Sequence, residues 1–131
     1  MGAWSHEPFG NDDAVDWIAD LEASNDLSLI ETAFDAIAVS ENTYVESPEC
    51  CNALAAAEVV AAMHGKPSQY LPSTASAWAA NHPQPSQALI SQGRAAVERI
   101  MKSSELQELW AETDDYAAWQ QETQSLLKRL G

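Results

Sequence analysis

A single carboxylate, Glu58, stands in the middle of the most apolar stretch of this 131-residue chain. The residues around it, 48–64, are mostly Ala, Val, Leu, Cys and Met. A carboxylate buried among such residues needs an ion-pair or hydrogen-bond partner, or it must stay protonated. The sequence offers Arg94, Arg99, a tryptophan N–H or backbone donors as partners. We interpret Glu58 as a structural polar anchor; the alternatives are a functional carboxylate in a small enzyme or ligand-binding domain, and a solvent-exposed side chain.

The other residues that could do chemistry form no recognisable catalytic or metal-binding pattern. The histidines His6, His64 and His82 are scattered, and neither His-x-x-x-His nor Cys-x-x-Cys is present. There is also no glycine-rich phosphate loop and no nucleophile elbow. Cys50 and Cys51 are adjacent, and neighbours on a helix cannot easily bridge each other, so we expect a reduced, buried pair. The sequence therefore predicts no metal, no cofactor and no enzymatic activity.

Charge is the outstanding feature of the composition. The chain has a net charge of −14, and residues 1–65 contain 13 acidic residues and no Lys or Arg. All six basic residues and the other seven acidic ones lie in residues 66–131. Nucleic acids and anionic membranes are bound through basic surface, so the sequence argues against both as direct partners. It favours a cationic protein partner, with solubility alone as the alternative.

The candidate partner-binding residues are acidic side chains of the first two predicted helices, together with two tryptophans near loops. Asp13, Asp16 and Asp20 recur at i, i+3 and i+7, which places them on one side of a helix. A tryptophan on the surface would supply a buried anchor for a partner. The full set of candidates is Asp12, Asp13, Asp16, Asp20, Glu31, Asp35, Trp4 and Trp78.

The stretch that must position these residues is a predicted helix over Pro48 to His64. Ser47 is the expected N-cap, Pro48 suits the first helical position, and Gly65 ends the helix. Because it is apolar nearly all round, we expect it at the centre of the protein, with its alanines allowing close packing. It is too short to span a membrane and carries Glu58 in its middle.

Amphipathic spacing predicts further helices on both sides of this central one. Asn11 is the expected N-cap of the first, whose apolar stripe repeats at Ala14, Trp17, Ile18 and Leu21. No segment has a convincing strand pattern, and no signal peptide is recognisable. The prediction is an all-α, single-domain bundle of six to seven helices over residues 1–131, located in the cytoplasm.

Three stretches resemble the bacterial family known as domain of unknown function 4259. The first is Met1-Gly2-Ala3-Trp4 followed by Pro8-Phe9-Gly10-Asn11-Asp12-Asp13-Ala14. The others are Ala55-Ala56-Ala57-Glu58-Val59-Val60-Ala61-Ala62, and Ser104-Glu105-Leu106 through Leu109-Trp110. The chain departs from the family pattern after Trp4, where it has Ser5 and Glu7 instead of glycines. The resemblance implies a small helical cytoplasmic protein and brings no activity or catalytic residue with it.

Together these features predict a binding protein rather than an enzyme. The most concrete form of this hypothesis is an immunity protein, or antitoxin, that neutralises a basic bacterial toxin such as a nuclease. Its acidic surface would attract the toxin through long-range electrostatics. We expect it to be a monomer or a weak homo-oligomer.

Overall fold

The computed structural model describes residues 12–24, 26–38, 44–82 and 84–131, which form helices and no strand. Within these ranges the helices are α1 (Asp12–Glu22), α2 (Ser28–Ala38), α3 (Ser47–Met63), α4 (Ser73–Ala80), α5 (Gln87–Lys102), α6 (Glu105–Ala111) and α7 (Tyr116–Leu130). The predicted all-α class is therefore confirmed. Asn11, the predicted N-cap of the first helix, lies outside the described residues.

Helix α3 lies at the centre and packs against each of the other six helices. Twelve of its seventeen residues are buried, most of them alanine, valine or another small apolar residue. Small side chains let neighbouring helices approach closely, and this explains how so many helices reach one axis. Around α3, α1 packs against α4, α2 packs against α5, and α5 packs against α7.

The two ends of α3 follow different rules. At the C-terminus Gly65 has φ +85°, and the N–H groups of Gly65 and Lys66 donate to Ala62 O and Ala61 O. This is the Schellman arrangement, and a glycine there costs no strain. At the N-terminus the predicted cap is wrong by one residue, since Glu46 is the N-cap and Ser47 is already helical. Glu46 makes no side-chain capping bond.

The outer helices bury the stripes that their spacing predicts. In α1 the buried residues are Ala14, Trp17, Ile18 and Leu21. In α7 the spacing predicts a stripe of Trp119, Leu126, Leu127 and Leu130, and all of these are buried except Leu127, which is half-buried. Each helix therefore turns one apolar face to the bundle and one polar face to solvent.

Helices α2 and α5 meet at a glycine. A Cβ atom added at Gly93 would lie 3.1 Å from Cζ of Phe34, which is tighter than ordinary contact. Phe34 is itself buried. Glycine has a low helix propensity, so its presence at position 93 in the middle of a helix needs an explanation. The close approach of the Phe34 ring to α5 leaves no room for a larger side chain there.

Serine caps were only partly predictable. Ser104-Glu105-Leu106-Gln107 has the spacing of a capping box, and Ser104 Oγ accepts a hydrogen bond from the N–H of Gln107 at 3.0 Å as that spacing predicts. Ser28-Leu29-Ile30-Glu31 also has the spacing of a capping box, but Ser28 is already the first residue of α2. Its N–H donates to the Asp26 carboxylate at 3.0 Å, and its hydroxyl donates to the same carboxylate at 2.7 Å. These bonds from Ser28 lower the pKa of Asp26.

Candidate functional site

The solvent-facing side of α1 carries a row of negatively charged side chains. Asp12, Asp16 and Asp20 are all exposed and recur at i, i+4 and i+8, so they form one row along the helix. Next to this row on the helical wheel is Val15, which is 45% exposed. We call Asp12, Val15, Asp16 and Asp20 the α1 face.

Within the described ranges, neither of the ion pairs involves a carboxylate of the α1 face. One of these pairs joins Arg94 to Glu98 within α5, and the other joins Arg129 of α7 to Glu58 of α3. Helix α4, which packs beside α1, contains no ionisable residue. The bases are concentrated on α5 and α7, with Lys66 after α3. Like charges at i and i+4 repel, so this row destabilises α1 slightly.

The remaining acidic candidates do not all join this face. Asp13 is half-buried, whereas Glu31 and Asp35 are exposed on α2. Helices α1 and α2 both pack against α3, but they share no extended contact with each other. The acidic residues of α1 and those of α2 therefore belong to helices that do not pack side by side.

Neither predicted tryptophan anchor is found on the described surface. Trp78 is only 7% exposed, and its indole N–H donates to Ser24 O at 2.9 Å. Its ring also stacks on His82, with 3.6 Å between the ring centroids. Trp78 therefore fixes α4 to the end of α1 and offers little surface to a partner. Trp4 lies outside the described residues.

Glu58 is buried as predicted, with no exposed surface at all. Its partner is Arg129, whose Nη1 lies 2.6 Å from Glu58 Oε1 and whose Nη2 lies 3.1 Å from Oε2. Such a two-pronged pair is the strongest geometry that a carboxylate and a guanidinium can adopt. Burial raises the pKa of Glu58, while Arg129 opposes that rise.

The arginines named as partners from the sequence have other roles. Arg94 donates from Nη1 to Leu127 O at 2.9 Å, in the last turn of α7. Arg99 donates from Nε to Ser103 O at 3.3 Å, at the end of its own helix. The sequence did carry a signal for Arg129, because it lies three residues after Leu126 and directly before Leu130, on the flank of the α7 stripe.

This geometry favours a structural role for Glu58. Both of its oxygens accept hydrogen bonds from Arg129, and no part of the carboxylate reaches solvent. A general acid or base must contact its substrate, and a ligand-binding carboxylate must contact its ligand. The arrangement joins two helices, and it does not present a reactive group.

The cysteines are also buried. Cys50 and Cys51 are free thiols, and burial raises the pKa of Cys50 to about 11 and of Cys51 to about 12. At neutral pH both are therefore protonated and poor nucleophiles.

Within the described ranges, no group of three or more His, Cys, Asp or Glu residues is arranged to hold a metal ion. In the same ranges no helix has the length and apolar character needed to cross a membrane.

Comparison with known proteins agrees with the resemblance of the opening motif. The profile of the family described as Domain of unknown function (DUF4259) matches residues 2–122. The chain belongs to the DUF4259 family. The DUF4259 match includes the α1 face and Glu58, whereas Arg129 lies after its last residue. Searches of curated proteins and of solved structures gave no match to this DUF4259 protein.

Proposed function

We propose that this protein is an inhibitor that binds a cationic protein, most concretely an immunity protein that covers the basic site of a bacterial toxin such as a nuclease. The observation that carries the proposal is the α1 face. It presents three exposed carboxylates in one row, and no base of the described chain is paired with them. A row of repelling charges slightly lowers the stability of the free protein. Pairing with a cationic partner would offset that cost.

The proposed mechanism is electrostatic steering followed by occlusion. Nuclease sites are basic because they hold the phosphate backbone, so a compact domain with a net charge of −14 is attracted to them at long range. On contact, the carboxylates of Asp12, Asp16 and Asp20 pair with lysines or arginines of the toxin. Val15 adds an apolar contact within the same face. The inhibitor acts in the cytoplasm, as a monomer or weak homo-oligomer.

Rigidity of the bundle supports this role. The stripe of α1, including Trp17 and Leu21, is buried against α3 and α4, so the α1 face is held in one orientation. Trp78 reinforces the end of the helix through its bond to Ser24 O. A preorganised surface loses little conformational entropy when it binds.

The test is the rate of association with the product of the neighbouring reading frame, measured by stopped-flow fluorescence at several salt concentrations. The triple variant Asp12→Asn, Asp16→Asn, Asp20→Asn should associate at least about tenfold more slowly at low salt. The matched control, Glu112→Gln, Asp114→Asn, Asp115→Asn, removes the same charge from exposed residues around the α6–α7 turn. The control should associate at nearly the unmodified rate. An association rate that ignores ionic strength, or equal effects of the two triple variants, would contradict the proposal.

A further inference from the structure

A groove of about 380 Å³ lies between α2 and α5. Its floor is formed by Phe34, Ile37 and Ala96, which are buried. Its sides include Ala38 on α2 and Ala95 on α5, which are exposed. Apolar side chains therefore line an opening that faces solvent.

The groove exists because small residues lie where larger ones would fill the space between the helices. The tip of the Phe34 ring lies against Gly93, so α2 and α5 are close at that point. Beyond it, Ala38, Ala95 and Ala96 leave the opening unfilled. Sites for complete small ligands usually measure roughly 300–1,000 Å³, and this groove is at the small end of that range. It has room for one aromatic side chain.

Charged and polar side chains border the apolar floor on both helices. Asp35 lies on the α2 side, with Glu31 one turn before it, and both are exposed. On the α5 side are Gln92 and Arg99, and the Nε of Arg99 is held by Ser103 O. The α2 side therefore favours basic groups, and the floor favours an apolar one.

We infer that this groove receives one aromatic side chain of the cationic partner, while basic residues beside that side chain pair with Glu31 and Asp35. The inference rests on the proposed function, because it takes the partner to be cationic. It deepens that function by supplying a buried anchor, a role that Trp78 cannot fill. Interfaces gain most of their affinity from such an aromatic side chain in a pocket. The acidic residues of α2 then select which aromatic segments bind.

The experiment titrates the full-length protein with the amidated peptide Lys-Trp-Lys and follows backbone amide signals by NMR. Signals of α2 and α5 around the groove should shift, saturating in the millimolar range. The peptides Lys-Ala-Lys and Glu-Trp-Glu should leave these signals unmoved, because the first lacks the ring and the second is repelled by Glu31 and Asp35. No shift around the groove, or equal shifts with Glu-Trp-Glu, would overturn the inference.

Two variants complete the test. Ala95→Trp fills the groove from an exposed position and should weaken Lys-Trp-Lys binding at least about tenfold, the loss of a typical hot spot. Ala117→Trp, at an exposed alanine of α7, is the matched control and should bind normally. Ala38→Trp serves as a second filling variant if Ala95→Trp does not fold. Unchanged binding by a folded filling variant would also overturn the inference. The proposed function would still stand if the α1 triple variant slowed association with the toxin, so the two can fail separately.

Discussion

Arg129, in the last turn of α7, holds its Nη1 atom 2.6 Å from Oε1 of Glu58 in the central helix, 71 residues earlier in the chain. The same nitrogen also lies 3.4 Å from Lys66 O, just beyond the end of α3. Arg94 fastens the same turn of α7 through Leu127 O. The final helix is thus attached to the core by charged hydrogen bonds as well as by its apolar stripe.

The first prediction concerns the contribution of the Glu58–Arg129 pair to the free energy of unfolding. Arg129→Met leaves a buried carboxylate without its partner and should lower the free energy of unfolding by about 3–5 kcal/mol. The double variant Glu58→Leu, Arg129→Met removes both charges and should be close to the unmodified protein in stability, because the desolvation cost disappears with the pair. Urea unfolding followed by tryptophan fluorescence measures both.

Lys128→Met is the control for that comparison, because it removes a positive charge from an exposed neighbour on the same helix. It should change the unfolding free energy by less than about 0.5 kcal/mol. If the double variant were as unstable as Arg129→Met alone, the loss would come from packing rather than from the unpaired carboxylate.

The second prediction is a dependence on pH with a definite sign. Burial raises the pKa of Glu58 in the folded protein, so this group contributes stability as the pH falls through that pKa and loses it as the pH rises. Arg129 opposes the shift and Glu122 adds to it, so Arg129→Met should raise the pKa of Glu58 further. The stability lost by Arg129→Met should therefore be largest at neutral pH and above.

Urea midpoints measured between pH 4 and pH 8 test this sign. The gap between Arg129→Met and the unmodified protein should narrow as the pH falls toward the unfolded-state pKa of glutamate, about 4.3. The double variant with Glu58→Leu lacks the titrating group and should show no such widening at high pH. A gap that widened on acidification would mean that the pKa of Glu58 is lower in Arg129→Met than in the unmodified protein, contrary to this prediction.

The third prediction concerns Gly93. Alanine has a better helix propensity than glycine by about 1 kcal/mol, but its Cβ would lie 3.1 Å from the buried Phe34 ring. We expect Gly93→Ala to destabilise the protein by about 1 kcal/mol, because overpacking outweighs propensity. In a Phe34→Leu background the same change should become neutral or stabilising. Ser91→Ala, at an exposed position of α5, controls for propensity, and urea unfolding of all four variants measures the coupling.

The fourth prediction concerns a cap supplied from another helix. The Ser47 N–H at the start of α3 donates to Oε1 of Glu105 at 2.7 Å, and the Glu105 N–H donates to Val45 O at 2.9 Å. Glu105→Ala should cost about 1 kcal/mol, as the loss of an N-cap does, whereas Glu105→Gln keeps an acceptor oxygen and most of the stability. Chemical denaturation compares the two, with the exposed Glu112→Ala as control. Equal losses for alanine and glutamine would show that the stability comes from the carboxylate charge and not from an acceptor oxygen at this position.

Local patterns predicted the helices well because a helix depends on residues three and four apart. The stripe of α1, the closing glycine of α3 and the Ser104 cap all depend on contacts within a few residues. Burial of Glu58 was predictable for the same reason, since its neighbours on every side of the helix are apolar. The same periodicity predicted the exposure of Asp16 and Asp20, but it placed Asp13 in the exposed row, whereas Asp13 is half-buried.

Contacts between distant segments were not predictable in this way. Sequence spacing gave Arg94 and Arg99 as partners of Glu58, because it carries no information on which helix end folds back against α3. The sequence also predicted Ser47 as the N-cap of α3, whereas in the structure the Ser47 N–H donates to the carboxylate of Glu105 in α6. Trp78 lies near a loop in the sequence, but the packing of α4 on α1 buries it.

The sequence by itself therefore determined the all-α class, the apolar central helix and the uneven distribution of charge, because each depends on composition or on short-range periodicity. Only the tertiary structure decided that Arg129 neutralises Glu58, that the acidic helices α1 and α2 share no extended contact, and that a groove remains between α2 and α5. These features depend on how helix axes are arranged around α3, and that arrangement is set by side-chain packing between residues far apart in the chain.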